Sequence, residues 1–133
     1  MNKTQQKLDL EALELFFLDR KDIASSFLFG SSQNGFIEPG SDVDIAVLFE
    51  NPNFSVEDKF NLYSELCTVV EITDKVDMIV LNKADIILAF EAISGKILSQ
   101  NNPEKTADFA SYTSRVYEDI MANIDYQYSL RKL

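Results

Sequence analysis

Two aspartates separated by one residue, Asp42 and Asp44, have the spacing best suited to chemistry in this chain. They begin the apolar run at residues 43–49, which predicts a buried strand. At the start of a strand, side chains two residues apart leave the same face, with Cα atoms about 6.5–7 Å apart. Such carboxylates can converge on one divalent cation or bridge two, an arrangement that supports phosphoryl or nucleotidyl transfer. A turn that merely starts a strand is the other interpretation of so short a motif.

A small-residue turn precedes the aspartates. Gly30 and Ser31 follow the uncharged, mostly apolar run at residues 23–29, which predicts a second buried strand. Glycine permits a close backbone approach, and a serine hydroxyl with neighbouring amides can hold phosphate oxygens. A generic turn is the alternative interpretation.

A third acid, Asp77, is a lone charge inside the apolar run at residues 76–81. Burying a bare carboxylate costs several kcal/mol, so we expect Asp77 to have a partner. A metal ion shared with Asp42 and Asp44 is an economical one. The alternative is that Asp77 lies at an exposed strand end.

Composition narrows the kinds of function. The chain has 133 residues and a net charge of −10, and we expect one domain spanning residues 1–133. Such a charge disfavours direct binding of duplex nucleic acid, because phosphate neutralisation supplies most non-specific affinity. The negative charge does not disfavour binding of Mg-ATP, because cations lie between its phosphates and the carboxylates of the protein.

The chain has no histidine, so acid–base and metal chemistry must depend on carboxylates, which favour hard cations such as Mg²⁺. The single cysteine, Cys67, lies among apolar residues and is interpreted as a buried, inert thiol. No signal peptide and no apolar run of about 20 residues is present. We therefore expect a cytoplasmic protein without a membrane interaction.

The remaining patterns predict an α/β or α+β domain with a small central sheet flanked by helices. Ser55 and Asp58 form a capping box, Asn82 is expected to cap the next helix and Gly95 to close it, and Pro103 starts a long last helix. The expected elements are a helix at 5–18, strands at 23–29 and 43–49 around a loop at 31–40, a helix from 55, a strand at 76–81, a helix from 82, a brief strand at 96–99 and a helix to about residue 130.

Two other phosphate or metal motifs are excluded. Gly30 and Gly35 supply the G-x-x-x-x-G of a Walker A loop, but Phe36-Ile37 stands where Lys-Ser/Thr is required. An EF-hand beginning at Asp42 would place Val47 at the position of its invariant glycine, where the loop turns sharply.

Gly30-Ser31, ten residues, and Asp42-Val43-Asp44 together resemble the GSx10DxD signature of the minimal nucleotidyltransferases of the DNA polymerase β superfamily. Asp77 falls where that family carries its third carboxylate, and the resemblance extends over about residues 20–100. It implies a mixed sheet flanked by helices and transfer of a nucleoside monophosphate from an NTP.

The resemblance also implies roles for the individual residues. Asp42 and Asp44 would hold two Mg²⁺ ions, and Gly30 and Ser31 would contact the triphosphate of ATP. Asp77 would hold the catalytic metal and could accept the proton of the nucleophile. Ser41 is a weaker candidate for a phosphate contact.

One departure from the family pattern concerns the loop after Gly-Ser. Many relatives carry arginines there, whereas this chain has Ser32, Gln33 and Asn34. A basic phosphate contact would have to come from elsewhere, with Lys83 and Lys96 as the candidates.

Among minimal nucleotidyltransferases, the chain resembles the MntA-type antitoxins, which pair with a HEPN-domain toxin. This resemblance implies transfer of AMP from ATP to a toxin tyrosine, which neutralises the toxin's RNase activity. The last helix offers an independent indication, because its apolar residues spread over about 180°. We hypothesise that the edge formed by Tyr117, Met121 and Tyr128 contacts a partner protein; packing of this wide face on the first helix is the alternative.

Two further functions are compatible with the sequence. A small molecule could be the acceptor, although such enzymes usually carry an additional substrate domain. The chain could also be a non-catalytic antitoxin that acts by direct toxin binding. Retention of all three aspartates favours activity.

Overall fold

A computed structural model of the chain describes residues 6–70 and 76–132 and has the predicted mixed architecture of small sheets and four helices. The strands at residues 23–29, 43–49 and 96–99 are confirmed within one residue. The elements are β1 Gln6–Lys7, α1 Leu10–Phe17, β2 Ile23–Phe29, β3 Phe36–Ile37, β4 Val43–Phe49, α2 Val56–Val69, β5 Val76–Val80, α3 Ile86–Ile93, β6 Lys96–Gln100 and α4 Pro103–Arg131.

The main sheet has four strands in the order β5-β4-β2-β6. β2 pairs antiparallel with both β4 and β6, whereas β4 and β5 run parallel. Every residue of β2 and all but one of β4 are buried, which explains why these strands are mostly apolar runs rather than alternating ones; the exception in β4 is Asp44. The sheet is therefore mixed, with β4 and β2 at its centre.

Helices cover both faces of this sheet. On one face Ile45 and Val47 of β4 pack in a cluster with Leu13 of α1 and Leu66 of α2. On the other face β4 contributes to a second cluster with α3, which includes Ala89, and with α4. Each fully buried aliphatic side chain contributes about 1.5–3 kcal/mol, so the two clusters fix the orientation of β4.

Helix capping was predicted in part. The capping box of Ser55 and Asp58 is confirmed, and α4 begins at Pro103 as predicted. The prediction that Asn82 caps α3 is wrong, because Asp85 accepts from the Leu88 N–H at 2.9 Å. Asn82 instead bonds the backbone of Phe49 in both directions.

The N-terminal helix is shorter than predicted. It begins at Leu10 rather than near residue 5, because Gln6–Lys7 forms β1 and pairs antiparallel with β3 in the loop. The loop itself contains a short 3-10 turn, Gly30–Ser32, in addition to β3. Strands of two residues carry too little periodicity to be recognised in a sequence.

Helix α4 is about 43 Å long at about 1.5 Å per residue, and only its first half packs on the domain. Thr106 and Thr113 are buried, whereas every residue at positions 122–132 is exposed. None of the helices in the described ranges combines the length and the apolar character needed to cross a bilayer.

Candidate active site

The parallel pairing of β4 and β5 places two of the predicted acids side by side. In this register Asp44 lies opposite Asp77, one residue after the pair formed by Val43 and Val76. Adjacent strands are about 4.8 Å apart, and paired residues point to the same face. Asp42 precedes the first residue of β4 by one position. The structure thus brings Asp42, Asp44 and Asp77 to one end of the sheet.

The strand register places Asp77 beside Asp44, but it does not bury the Asp77 side chain. Its side chain is exposed, so the expectation of a buried carboxylate that requires a partner is wrong. The physical reason is that β5 is an edge strand and Asp77 lies near its beginning. The alternative prediction, that Asp77 lies at an exposed strand end, is therefore confirmed. Asp77 nevertheless lies beside Asp44, its partner in the sheet.

Asp44, like Asp42, is half-buried, and the pKa of Asp44 is raised. The causes are burial, then the negative charges of Asp77, Asp42 and Glu91. Between residues of the described ranges, none of the three aspartates forms an ion pair or a hydrogen bond. The carboxylates therefore repel one another without internal compensation, which a bound cation would relieve.

In the part of the chain that the structure describes, no group of three or more carboxylate, thiol or imidazole side chains is arranged to hold an ion. The chemistry of the donors nevertheless fits a hard cation, because the charges that converge on Asp44 are all carboxylates. These residues fit Mg²⁺ by donor type and placement along the strands.

Gly30 joins the site from the end of β2. Its φ of 74° lies in the left-handed region, and it starts the 3-10 turn directly after Phe29, which pairs with Asp44. A Cβ at this position would overlap Oδ2 of Asp44. Only glycine combines this backbone conformation with so close a carboxylate.

The remainder of the loop presents polar groups without positive charge. Ser31 is exposed, and Ser32 is buried with no partner for its hydroxyl within the described residues. The Gln33 side chain donates to the Gly30 carbonyl at 3.2 Å and holds the turn. Ser41 is half-buried, and its N–H donates to the Glu38 carbonyl in the turn that leads into β4.

The two lysines suggested as phosphate contacts lie elsewhere. Lys83 follows the far end of β5, where its ammonium lies 5.1 Å from the centre of the Phe54 ring. Lys96 pairs with Leu28, whose side chain belongs to the cluster on the opposite face from Asp44. Neither lysine is therefore placed beside the carboxylates.

A cleft of about 510 Å³, here called the α3–α4 cleft, begins at Gly30 and extends between the two helices. Its lining includes Phe90 and Glu91 of α3 and Tyr117 of α4. The rings of Phe90 and Tyr117 stack with centroids 3.9 Å apart and an interplanar angle of 4°. Sequence reasoning missed Glu91, because helical spacing gives an exposed glutamate no distinguishing signal.

Two residues outside the carboxylates also differ from expectation. Tyr117, assigned to a partner-facing edge, packs inside the domain against Phe90. Cys67 is half-buried rather than buried, at the margin of the cluster on the α1–α2 face. Gly95 follows the end of α3 as predicted, and a Cβ there would lie 2.5 Å from the Leu28 carbonyl oxygen.

These features are the ones that the resemblance to minimal nucleotidyltransferases implies, and the family comparison agrees with it. The model of the family described as Polymerase beta, Nucleotidyltransferase matches residues 11–104, from α1 to the first turn of α4. The chain therefore belongs to the polymerase β nucleotidyltransferase family and is an enzyme of that class. No curated protein matches the chain in sequence.

Several solved structures of similar fold come from toxin–antitoxin complexes. A chain from a toxin–antitoxin structure with AMP-PNP is 22% identical over 95% of this chain and 100% of its own, with a TM-score of 0.70. A mutant MntA–HpeT complex gives 20% identity, the same coverage and a TM-score of 0.70. A third structure is the tri-AMPylated Shewanella oneidensis HEPN toxin in complex with MNT antitoxin. One of its chains is 20% identical over 93% of this chain and 99% of its own, with a TM-score of 0.63. At these identities the similarity establishes the fold.

Proposed function

We propose that this chain is a Mg²⁺-dependent antitoxin that transfers AMP from ATP to a tyrosine of a partner HEPN-family toxin and so neutralises its RNase activity. The observation that carries the proposal is the pairing of Asp44 with Asp77 beside Gly30. Family membership supports nucleotidyl transfer. The fold shared with a complex that contains a tri-AMPylated HEPN toxin supports AMP as the group and a HEPN protein as the acceptor.

The carboxylates have the donor type that Mg²⁺ prefers. Asp42 and Asp44 would hold two ions, and Asp77 would complete the coordination of the catalytic one. When bound, the ions would neutralise the triphosphate and polarise the attacked phosphorus. The charge around Asp44 supports this assignment, because ion binding would offset the like-charge repulsion that, after burial, raises the pKa of Asp44.

The chain's own groups would orient the nucleotide and manage the proton. The backbone at Gly30 and the exposed hydroxyl of Ser31 would hold the triphosphate, with Ser41 as a second hydroxyl nearby in sequence. The acceptor oxygen would form a bond to the α-phosphorus as the bond to the β-bridging oxygen breaks and pyrophosphate leaves. Asp77, whose carboxylate is exposed beside Asp44, would take the proton of the tyrosine hydroxyl.

The exposed half of α4 is proposed as part of the toxin contact. Tyr128 is 57% exposed and Ile124 is 50% exposed, and both lie in residues 122–132 of the chain, every one of which is exposed. Met121 is half-buried at the base of this segment, so it and Tyr128 retain the partner-facing role, whereas Tyr117 does not.

This contact predicts that Tyr128→Ala weakens the complex with the toxin at least fivefold, because buried aromatic side chains dominate interface energies. Tyr126→Ala is the matched control, since Tyr126 is equally exposed but lies about 200° away around the helix. Calorimetric titration of each variant with the HEPN protein measures the effect. Equal losses in both variants, or no loss in Tyr128→Ala, would contradict the contact.

The proposed activity is tested with Mg-ATP and a HEPN protein encoded beside this chain. Mass spectrometry of the HEPN chain should show added AMP, and peptide mapping should place it on tyrosine. The added mass should disappear with Asp42→Asn and Asp44→Asn but persist with Asp119→Asn, an exposed aspartate of α4. A stable complex without added mass would favour an antitoxin that acts by binding alone. If neither a complex nor added mass is found, transfer to a small-molecule acceptor is the remaining alternative.

A further inference from the structure

The α3–α4 cleft shares Gly30 with the turn proposed to hold the triphosphate. A nucleotide whose phosphates lie at that turn would therefore have its nucleoside end at the mouth of the cleft. At about 510 Å³ the cleft is within the size range of small-molecule sites, about 300–1,000 Å³. Its position and size suit a nucleoside.

The two sides of the cleft differ in chemistry. The stacked rings of Phe90 and Tyr117 give one apolar wall, which Ile87, 52% exposed, extends toward solvent. A flat base can pack on such a wall without a hydrogen bond. Among the described residues that line the cleft, Glu91 alone is charged, and its side chain is exposed.

The charge of Glu91 restricts what it can contact. A carboxylate repels phosphate oxygens but accepts hydrogen bonds from hydroxyl groups. Glu91 lines the same cleft as Gly30, whose turn is proposed to hold the phosphates. The ribose is the part of a nucleotide that occupies this position, between the phosphates and the base.

We propose that Glu91 accepts hydrogen bonds from the ribose hydroxyls of the bound nucleotide and that Phe90 and Tyr117 form the wall on which its base packs. This inference depends on the proposed nucleotidyl transfer and names the residues that select a ribonucleotide. It makes the α3–α4 cleft the nucleoside half of the site whose phosphate half is formed at Gly30.

Equilibrium binding of three probes in the presence of Mg²⁺ tests the assignment: ATP, 2′,3′-dideoxy-ATP and inorganic tripolyphosphate. The unaltered protein should bind ATP about tenfold more tightly than dideoxy-ATP, the effect of a charged hydrogen bond. In Glu91→Ala this ratio should fall to about twofold, while tripolyphosphate binds no more weakly than before. Glu118→Ala, at an exposed position outside the cleft, should retain the full ratio.

A second variant examines the aromatic wall. Tyr117→Ala should weaken ATP but not tripolyphosphate, and Tyr117→Phe should retain ATP affinity because the stacked ring remains. An unchanged ratio in Glu91→Ala would overturn the ribose assignment. Equal weakening of ATP and tripolyphosphate would also overturn it and would place Glu91 on the metal ions instead. Failure of the unaltered protein to bind either ATP or tripolyphosphate would contradict the nucleotidyl transfer itself.

Discussion

The two ends of the main sheet differ in whether their polar side chains are hydrogen-bonded within the protein. At one end, the Asn101 side chain donates to the carbonyls of Phe17, Arg20 and Ile23 at 2.8–3.2 Å. Asn82 bonds the Phe49 N–H and carbonyl at the same end. At the other end, the aspartates at positions 42, 44 and 77 form no hydrogen bond or ion pair with the described residues.

This difference separates stabilising polar groups from groups kept for a ligand. A hydrogen-bonded amide contributes to stability, because leaving the buried carbonyls unpaired would cost free energy. Neighbouring carboxylates contribute nothing favourable to the free protein, since their charges repel and Asp44 is partly desolvated. Residues that cost stability and lie together at strand ends are expected at a binding site.

The largest effect should come from adding a methyl group at the ligand end. In Gly30→Ala the new Cβ meets Oδ2 of Asp44 and the residue is held at a φ of 74°. We expect AMP transfer to fall about 100-fold through displacement of the carboxylate, and stability to fall by about 1–3 kcal/mol.

Gly40→Ala is the matched control for this change. Gly40 has a φ of 78°, but nothing lies within 4 Å of its added Cβ. It should lose stability to a similar extent and retain transfer when both are measured by urea unfolding and by mass spectrometry of the acceptor. Similar loss of transfer in both variants would mean that backbone strain, rather than the carboxylate, determines activity.

A substitution at the Asn101 end of the sheet should lower stability without changing AMP transfer. Asn101→Ala removes the donor to three carbonyls, so we expect a loss of about 1–3 kcal/mol in the free energy of unfolding. The transfer rate per folded molecule should stay unchanged. If transfer fell as strongly as it does in Gly30→Ala, the division between the two ends would be wrong.

The smallest effect concerns pH in the absence of metal. Because the pKa of Asp44 is raised on folding, its contribution to stability is full below its ordinary pKa and is lost as the pH rises through the raised value. Asp44→Asn lacks this dependence, so it should become more stable relative to the unaltered protein as the pH rises toward neutrality. Urea unfolding at several pH values measures the difference, and a pH-independent difference would contradict the repulsion.

Much of the fold could be predicted from local sequence. The strands at residues 23–29 and 43–49 are mostly apolar runs bounded by turn residues, and the Ser55 cap has its own local pattern. The ribbon of β1 and β3 could not be predicted, because two-residue strands depend on a non-local pairing. Asn82 was misassigned because its partner, Phe49, is 33 residues distant in the chain.

The candidate site was predictable where its spacing is local. Gly30, Asp42 and Asp44 lie within fifteen residues and form a recognisable pattern. The position of Asp77 depends on the register of two parallel strands, and that of Glu91 on how α3 packs against the sheet. Both are long-range consequences of packing that no local pattern specifies.

The central claim is that Asp77 acts together with Asp42 and Asp44. Single-turnover AMP transfer at saturating Mg-ATP, measured for Asp77→Asn, tests it most directly. Because the Asp77 side chain is exposed and forms no hydrogen bond or ion pair with the described residues, the free energy of unfolding of this variant should lie within about 0.5 kcal/mol of that of the unaltered protein. We predict a loss of transfer of at least about 100-fold. Near-normal transfer by the folded variant would contradict the account and assign the third ligand to another residue.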